Sequence, residues 1–138
     1  MITLILGKKG SGKTKRLIDM CNAATGESKG NVIFIEKDST LTTDISHRAR
    51  LAVADEYGIQ GFDAFYGYIA GMCAGNYDIT DIFVDSTLKI GGRDMEKLAA
   101  FIEQLGDLSK KAEVNLVLSI SADKAEIPER IAEFAVEL

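Results

Sequence analysis

Short apolar runs and helical stripes alternate along this chain. "MITLIL", residues 1–6, is apolar, carries β-branched side chains and stops at Gly7, which predicts a strand. From Lys13 to Thr25 the period changes. Leu17, Ile18, Cys21 and Ala24 recur at helical spacing, Lys15, Arg16, Asp19 and Asn22 fall opposite, and Gly26 is placed to end the helix in the left-handed conformation. "NVIFIEKD" (31–38) predicts a second buried strand ending in acids, and "LAVAD" (51–55) a short third. Over 61–76, Phe62, Phe65, Tyr66, Ile69, Met72 and Cys73 line one helix face, a core face. Gly67, Gly71 and Gly75 leave a side-chain-free stripe suited to close approach. "DIFVDS" (81–86) predicts a fourth strand. Met95, Leu98, Phe101, Ile102, Leu105 and Leu108 mark an amphipathic helix, and "VNLVLSIS" (114–121) a fifth strand. "IPERIAEF" (127–134) starts a short helix with Pro128 where its missing N–H costs little, and "FAVEL" (134–138) forms a sixth strand.

Strands alternating with helical stretches require crossover connections. The expected fold class is therefore α/β, a mainly parallel sheet of five to six strands with helices on both faces, a three-layer αβα arrangement. With no internal repeat or linker, residues 1–138 read as one domain. Such sheets bind ligands beyond the carboxyl ends of their strands. The Gly7 loop lies at such an end.

Composition narrows the partners. An apolar content of 46% with 27% charge describes a globular chain. No apolar run reaches the ~18 residues of a membrane span, and the first residues lack the pattern of a secretory leader. Cys21 and Cys73 are far apart, without metal-ligand spacing, so the expected setting is the reduced cytoplasm. A net charge of −5 argues against nucleic acid or an anionic membrane as an obligatory partner. Residues 8 to 16 nevertheless carry Lys8, Lys9, Lys13, Lys15 and Arg16 with no acid among them, which leaves −10 for the rest. A small cationic spot in an acidic molecule suits a small polyanion.

That spot coincides with a motif. Gly7 to Thr14, "GKKGSGKT", reads G-x-x-x-x-G-K-T. By average composition the pattern arises by accident about once in a hundred chains of this length, and here it also follows a strand and opens a helix. Gly7, Gly10 and Gly12 permit a tight backbone whose amides, with those of Lys8, Lys9 and Ser11, converge as an anion nest at a helix start. Lys13 would set its ammonium on the β- and γ-phosphates, and the Thr14 hydroxyl would ligate Mg²⁺. A magnesium site also wants a carboxylate on a neighbouring strand. Asp85, after the apolar Ile82-Phe83-Val84, is the candidate, holding the metal through water.

In "GKKGSGKT", "VIFIEKD" and "DIFVDS", and in the order of its segments over most of residues 1–125, the chain resembles the RecA-type group of P-loop nucleoside triphosphatases. The resemblance implies the strand order 3-2-4-5-1-6. It further implies a water-activating acid at the end of the second strand, here Asp38 with Glu36 two residues earlier. A polar residue ending the fifth strand, Ser119 or Ser121, would sense the γ-phosphate. Family members often share sites between copies, which allows a homo-oligomer. The chain is also similar to small, functionally uncharacterised bacterial ATP-binding proteins, some of them named for twitching motility. It departs from the pattern at position 86, Ser where many P-loop ATPases have Glu. Asp38 is also one methylene shorter than a glutamate, and the chain lacks the length for the DNA-contacting loops of recombinases.

Lesser candidates surround this motif. His47, Arg48 and Arg50 in "SHRAR" read first as solvated loop residues and second as contacts to a base, a γ-phosphate or a second substrate. Arg93 after Gly91-Gly92 reads first as part of a glycine turn before a helix capped by Asp94, and second as an arginine finger. Cys21 and Cys73 read as packing residues. The expected function is Mg-dependent binding of ATP, with GTP as the other candidate, and slow hydrolysis. The competing readings are a nucleotide-gated module without turnover and a nucleoside-type kinase.

Overall fold

The computed structural model describes residues 1–39 and 44–137. The described elements are β1 (Ile2–Gly7), α1 (Lys13–Glu27), β2 (Asn31–Glu36), β3 (Ala49–Val53), a 3₁₀ turn (Ala54–Tyr57), α2 (Phe62–Gly75), β4 (Ile79–Val84), α3 (Thr87–Gly91), α4 (Met95–Ala112), β5 (Asn115–Ser121), a second 3₁₀ segment (Glu129–Phe134) and β6 (Ala135–Glu137). The six strands form one sheet in the order β3-β2-β4-β5-β1-β6, every neighbouring pair parallel. That is the order the resemblance implies.

Side-chain alternation along each strand divides the core in two. Leu4, Leu6, Ile35, Ile82 and Leu118 point to one face, where Phe65 of α2 and Phe101 and Leu105 of α4 cover them. Ile5, Phe34, Phe83 and Val117 point to the other, against Leu17 and Cys21 of α1. Strands sealed on both faces read as unbroken apolar runs, as the central four do here. In the larger layer Phe101 packs its ring 5.2 Å from Phe65 and 5.0 Å from Phe62, centroid to centroid. Asp94 caps α4 by accepting from the amides of Glu96 and Lys97, as its position predicts.

Several boundaries depart from the expected ones. α1 runs through Gly26 to Glu27, and the Ser28 amide still donates to the Ala24 carbonyl at 2.8 Å, so Gly26 is not a left-handed stop. The third strand starts earlier, at Ala49, and Ala54 and Asp55 belong to the 3₁₀ turn. "IPERIAEF" forms a 3₁₀ segment rather than an α-helix. The last strand is short, and Leu138 lies outside the described residues. On α2, Phe62, Phe65, Ile69 and Cys73 are buried as expected. Gly67, Gly71 and Gly75 face open space, and among the described residues nothing comes close enough to touch a side chain there, so the expected close approach is not made among those residues. Close contact is made instead at glycines such as Gly91, where an added Cβ would collide with the Phe62 ring.

These glycines make opposite predictions. Gly71→Ala should raise stability by about 0.5–1 kcal/mol, because it removes unfolded-chain freedom at an unobstructed helical position. Gly91→Ala should lower it by about 1–3 kcal/mol through overpacking. Urea unfolding of both variants checks the pair, and equal effects of one sign would refute the packing described.

Candidate functional site

At the carboxyl end of β1 the chain must turn sharply and start a helix without a side chain in the bend. The Ser11 amide donates to the Lys8 carbonyl at 3.0 Å, closing the turn. Gly10 (φ 83°) and Gly12 (φ 94°) both occupy left-handed conformations that a β-carbon disfavours. Gly7 is constrained by space, since a Cβ there would strike the Ser11 hydroxyl. α1 then begins at Lys13 with no side-chain cap and no acid in its first turn. The first-turn amides and the positive end of the helix therefore face the bend without a side-chain acceptor, a setting that favours an anion.

Strand register supplies the second half. Phe34 pairs with Phe83, and Phe83 with Val117. Two residues further along, on the α1 side, Glu36, Asp85 and Ser119 consequently stand in a row across the sheet edge. Asp85 is buried, and its carboxylate accepts from the Ser119 hydroxyl at 2.8 Å and from the Thr14 hydroxyl at 3.1 and 3.2 Å. Its amide donates to the Ile35 carbonyl at 2.9 Å. Ser86, next in the chain, has φ 58° and ψ 44°, left-handed for a residue with a side chain, and its amide donates to the Ser119 hydroxyl at 3.0 Å. The strand thus turns through Ser86 into α3 while Asp85 stays fixed.

Lys13 is buried and donates to the Lys8 carbonyl at 2.9 Å, so its ammonium lies across the bend. Burial lowers its pKa, and the nearby Asp85 carboxylate opposes that shift. Lys8, Lys9, Gly10, Lys13 and Thr14 line a cavity of about 700 Å³ together with Ser119 and Ser121. Its lining also includes Lys89, Arg93, Asp123 and Glu126. A second cavity, about 260 Å³, adjoins it and holds Glu36, Lys37 and Asp38 beside Thr14, Asp85, Ser86 and Lys89.

The sequence-predicted residues therefore mostly converge. β2 ends at Glu36, which is buried, while Asp38 lies beyond the strand and is exposed. Ser119 contacts Asp85 directly, and Ser121 lines the larger cavity, where its carbonyl accepts from Arg93 at 3.3 Å. His47, Arg48 and Arg50 are exposed and border neither cavity. Cys21 and Cys73 are buried free thiols; burial pushes Cys21 up to about 11, which suits packing and not reactivity. Lys89 and the left-handed Ser86 were missed. Five residues of α3 are too few to show a period, although the burial-prone Leu88 and Ile90 flanking a lysine are a weak signal.

The donor set can be tested against a divalent cation. The Thr14 hydroxyl and the Asp85 carboxylate stand 3.1 Å apart, so a cation bound to Thr14 would lie within reach of Asp85 through one water. Among the described residues no three His, Cys, Asp or Glu side chains converge as a metal cage, so most ligands would have to come from the bound anion and water. Among those residues, also, no helix is long and apolar enough to cross a membrane.

Lys13 generates a pH prediction. Folding lowers its pKa, so between the folded value and the ordinary 10.5 the unfolded chain holds more protons, and this residue makes stability rise with pH in that window. Lys13→Met should lack the increment. Urea unfolding of both proteins from about pH 8 to about pH 10.5 checks it, and parallel curves would refute it. No protein-family model matches the chain, and no curated protein matches it.

Proposed function

We propose that this chain binds a nucleoside triphosphate with Mg²⁺ at the Gly7–Thr14 loop and hydrolyses it slowly, with ATP as the leading substrate and GTP the other. The observation that carries the reading is the 3.1 Å contact between the Thr14 hydroxyl and the Asp85 carboxylate, beside a glycine loop that opens an uncapped helix. A lone glycine turn needs no buried acid behind it. A phosphate–magnesium site needs both. The parallel order β3-β2-β4-β5-β1-β6 supports a RecA-like relationship.

In this reading the loop amides and Lys13 hold the phosphates, Thr14 and Asp85 hold the metal, and Ser119 and Ser121 border the terminal phosphate. Bound Mg²⁺ would neutralise charge on the phosphate oxygens. Glu36 and Asp38 are the acids placed to orient water, in the smaller cavity. Slow turnover fits Ser86, which puts a hydroxyl where an acid would act as a base. The same feature favours, as a second reading, a nucleotide-gated module without turnover. The buried free cysteines support a cytoplasmic setting, and a homo-oligomer sharing the site belongs to the same proposal.

Calorimetric titration with ATP, GTP and ADP, each with and without Mg²⁺, tests the reading on wild type and Lys13→Ala. Wild type should bind Mg·ATP, and Lys13→Ala should lose about 10²-fold in affinity, as expected for a partly desolvated charge-assisted contact. Comparable affinities would overturn the proposal. Phosphate release from Glu36→Gln and Asp38→Asn then separates the two readings: a rate loss favours the enzyme, and unchanged residual release favours the gated module.

A further inference from the structure

The two cavities share four residues, Thr14, Asp85, Ser86 and Lys89. Lys89 is the one cation among them. Lys8, Lys9, Lys13 and Arg93 border only the larger cavity, and Lys37 only the smaller, where its ammonium is paired with Asp55 at 3.0 Å. The Lys13 ammonium is bonded to the Lys8 carbonyl, and the Arg93 guanidinium to the Ser121 carbonyl. Among the described residues the Lys89 side chain makes no ion pair or hydrogen bond, and it is exposed.

Its placement is not that of a loose surface lysine. The left-handed Ser86 turns the chain out of β4, and its carbonyl accepts from the amides of Lys89 (3.0 Å) and Ile90 (3.3 Å). Leu88 and Ile90 on either side are buried in the core. The Ile90 carbonyl accepts from the Gly61 amide at 2.9 Å, and Gly91 sits close against the Phe62 ring. α3 is therefore held at both ends, and the residue between its two anchors is directed to the junction of the cavities.

From this we infer that Lys89 is a catalytic residue that stabilises the transition state of phosphoryl transfer in cis, an inference that rests on the nucleotide reading above. If the phosphate chain occupies the larger cavity and the attacking water the smaller, the reacting phosphorus sits where the cavities meet. There the water oxygen forms a bond to the γ-phosphorus as the bond to the β–γ bridging oxygen breaks. The bonding pair leaves with the nucleoside diphosphate, and the water proton passes by the Glu36 and Asp38 wall to solvent. Negative charge redistributes over the transferring oxygens at that junction, and an ammonium there acts on the transition state more than on the bound substrate. Arg93 borders only the larger cavity and is already engaged with the Ser121 carbonyl.

Lys89→Met and Lys89→Arg test the assignment, with thermal unfolding to confirm that both fold. Lys89→Met should bind Mg·ATP and Mg·ADP within about twofold of wild type and release phosphate about 10²-fold more slowly. In calorimetry it should also lose the tight complex that Mg·ADP forms with aluminium fluoride, a mimic of the transferring phosphoryl group. Lys89→Arg should retain most of both. Unchanged release or unchanged analogue affinity in Lys89→Met would overturn the inference. So would a loss of Mg·ATP affinity as large as the rate loss, which would make Lys89 a ground-state clamp. A wild type that binds Mg·ATP but neither releases phosphate nor holds the analogue removes only this inference; a wild type that binds no nucleotide removes the underlying reading with it.

Discussion

A buried carboxylate is costly to hold in a protein interior unless hydroxyls and amides surround it, and Asp85 is held by hydroxyls from two directions. Thr14 reaches it from α1 and Ser119 from β5, elements far apart in the chain. Their meeting depends on parallel register, which aligns Phe34, Phe83 and Val117 beneath α1. Side chains alternate between faces with a period of two, so a slip of one residue would turn Asp85 or Ser119 into the opposite core layer. The apolar cost of such a slip protects the polar row. The same Phe83 and Val117 that seal the sheet against α1 thereby fix the acid and hydroxyl at its edge.

Around that row the charges are sorted. The molecule is acidic overall, yet Lys8, Lys9, Lys13, Lys89 and Arg93 all border one cavity at the carboxyl edge. Long-range repulsion between the acidic body and a polyanion is screened at physiological salt, whereas cations lining a partly enclosed cavity act at short range. Asp85, Asp123 and Glu126 interrupt the positive lining. The cavity therefore sets five cationic side chains against three acids, a balance that suits an anionic ligand.

Much of this was legible in the amino-acid order, for local reasons. The turn from Gly7 to Gly12 needs conformations and space that only glycine supplies, so the motif and its structure coincide residue by residue. Asp85 was legible because an apolar strand that ends in an acid places that acid at the sheet edge. The strand order was not carried by any periodicity and came through resemblance. Gly26 misled because the apolar stripe fades near Thr25, whereas the Ser28 amide continues the backbone ladder regardless of side chains. Asp38 was expected to end the second strand, whereas the pairing of Glu36 with Val53 makes Glu36 the last strand residue. α3, with Lys89, escaped for want of length.

The contact between Gly91 and the Phe62 ring has a consequence for how sequence change can propagate. α2 packs in the core layer on the far side of the sheet from α1, yet its first residue is pressed against the end of the segment that carries Lys89. The outward face of α2, with its three open glycines, can drift freely among small residues without disturbing the edge. Its first turn cannot: enlarging or tilting Phe62 would shift α3 along the sheet margin. A helix whose outward face is permissive is thus a strict spacer at one end.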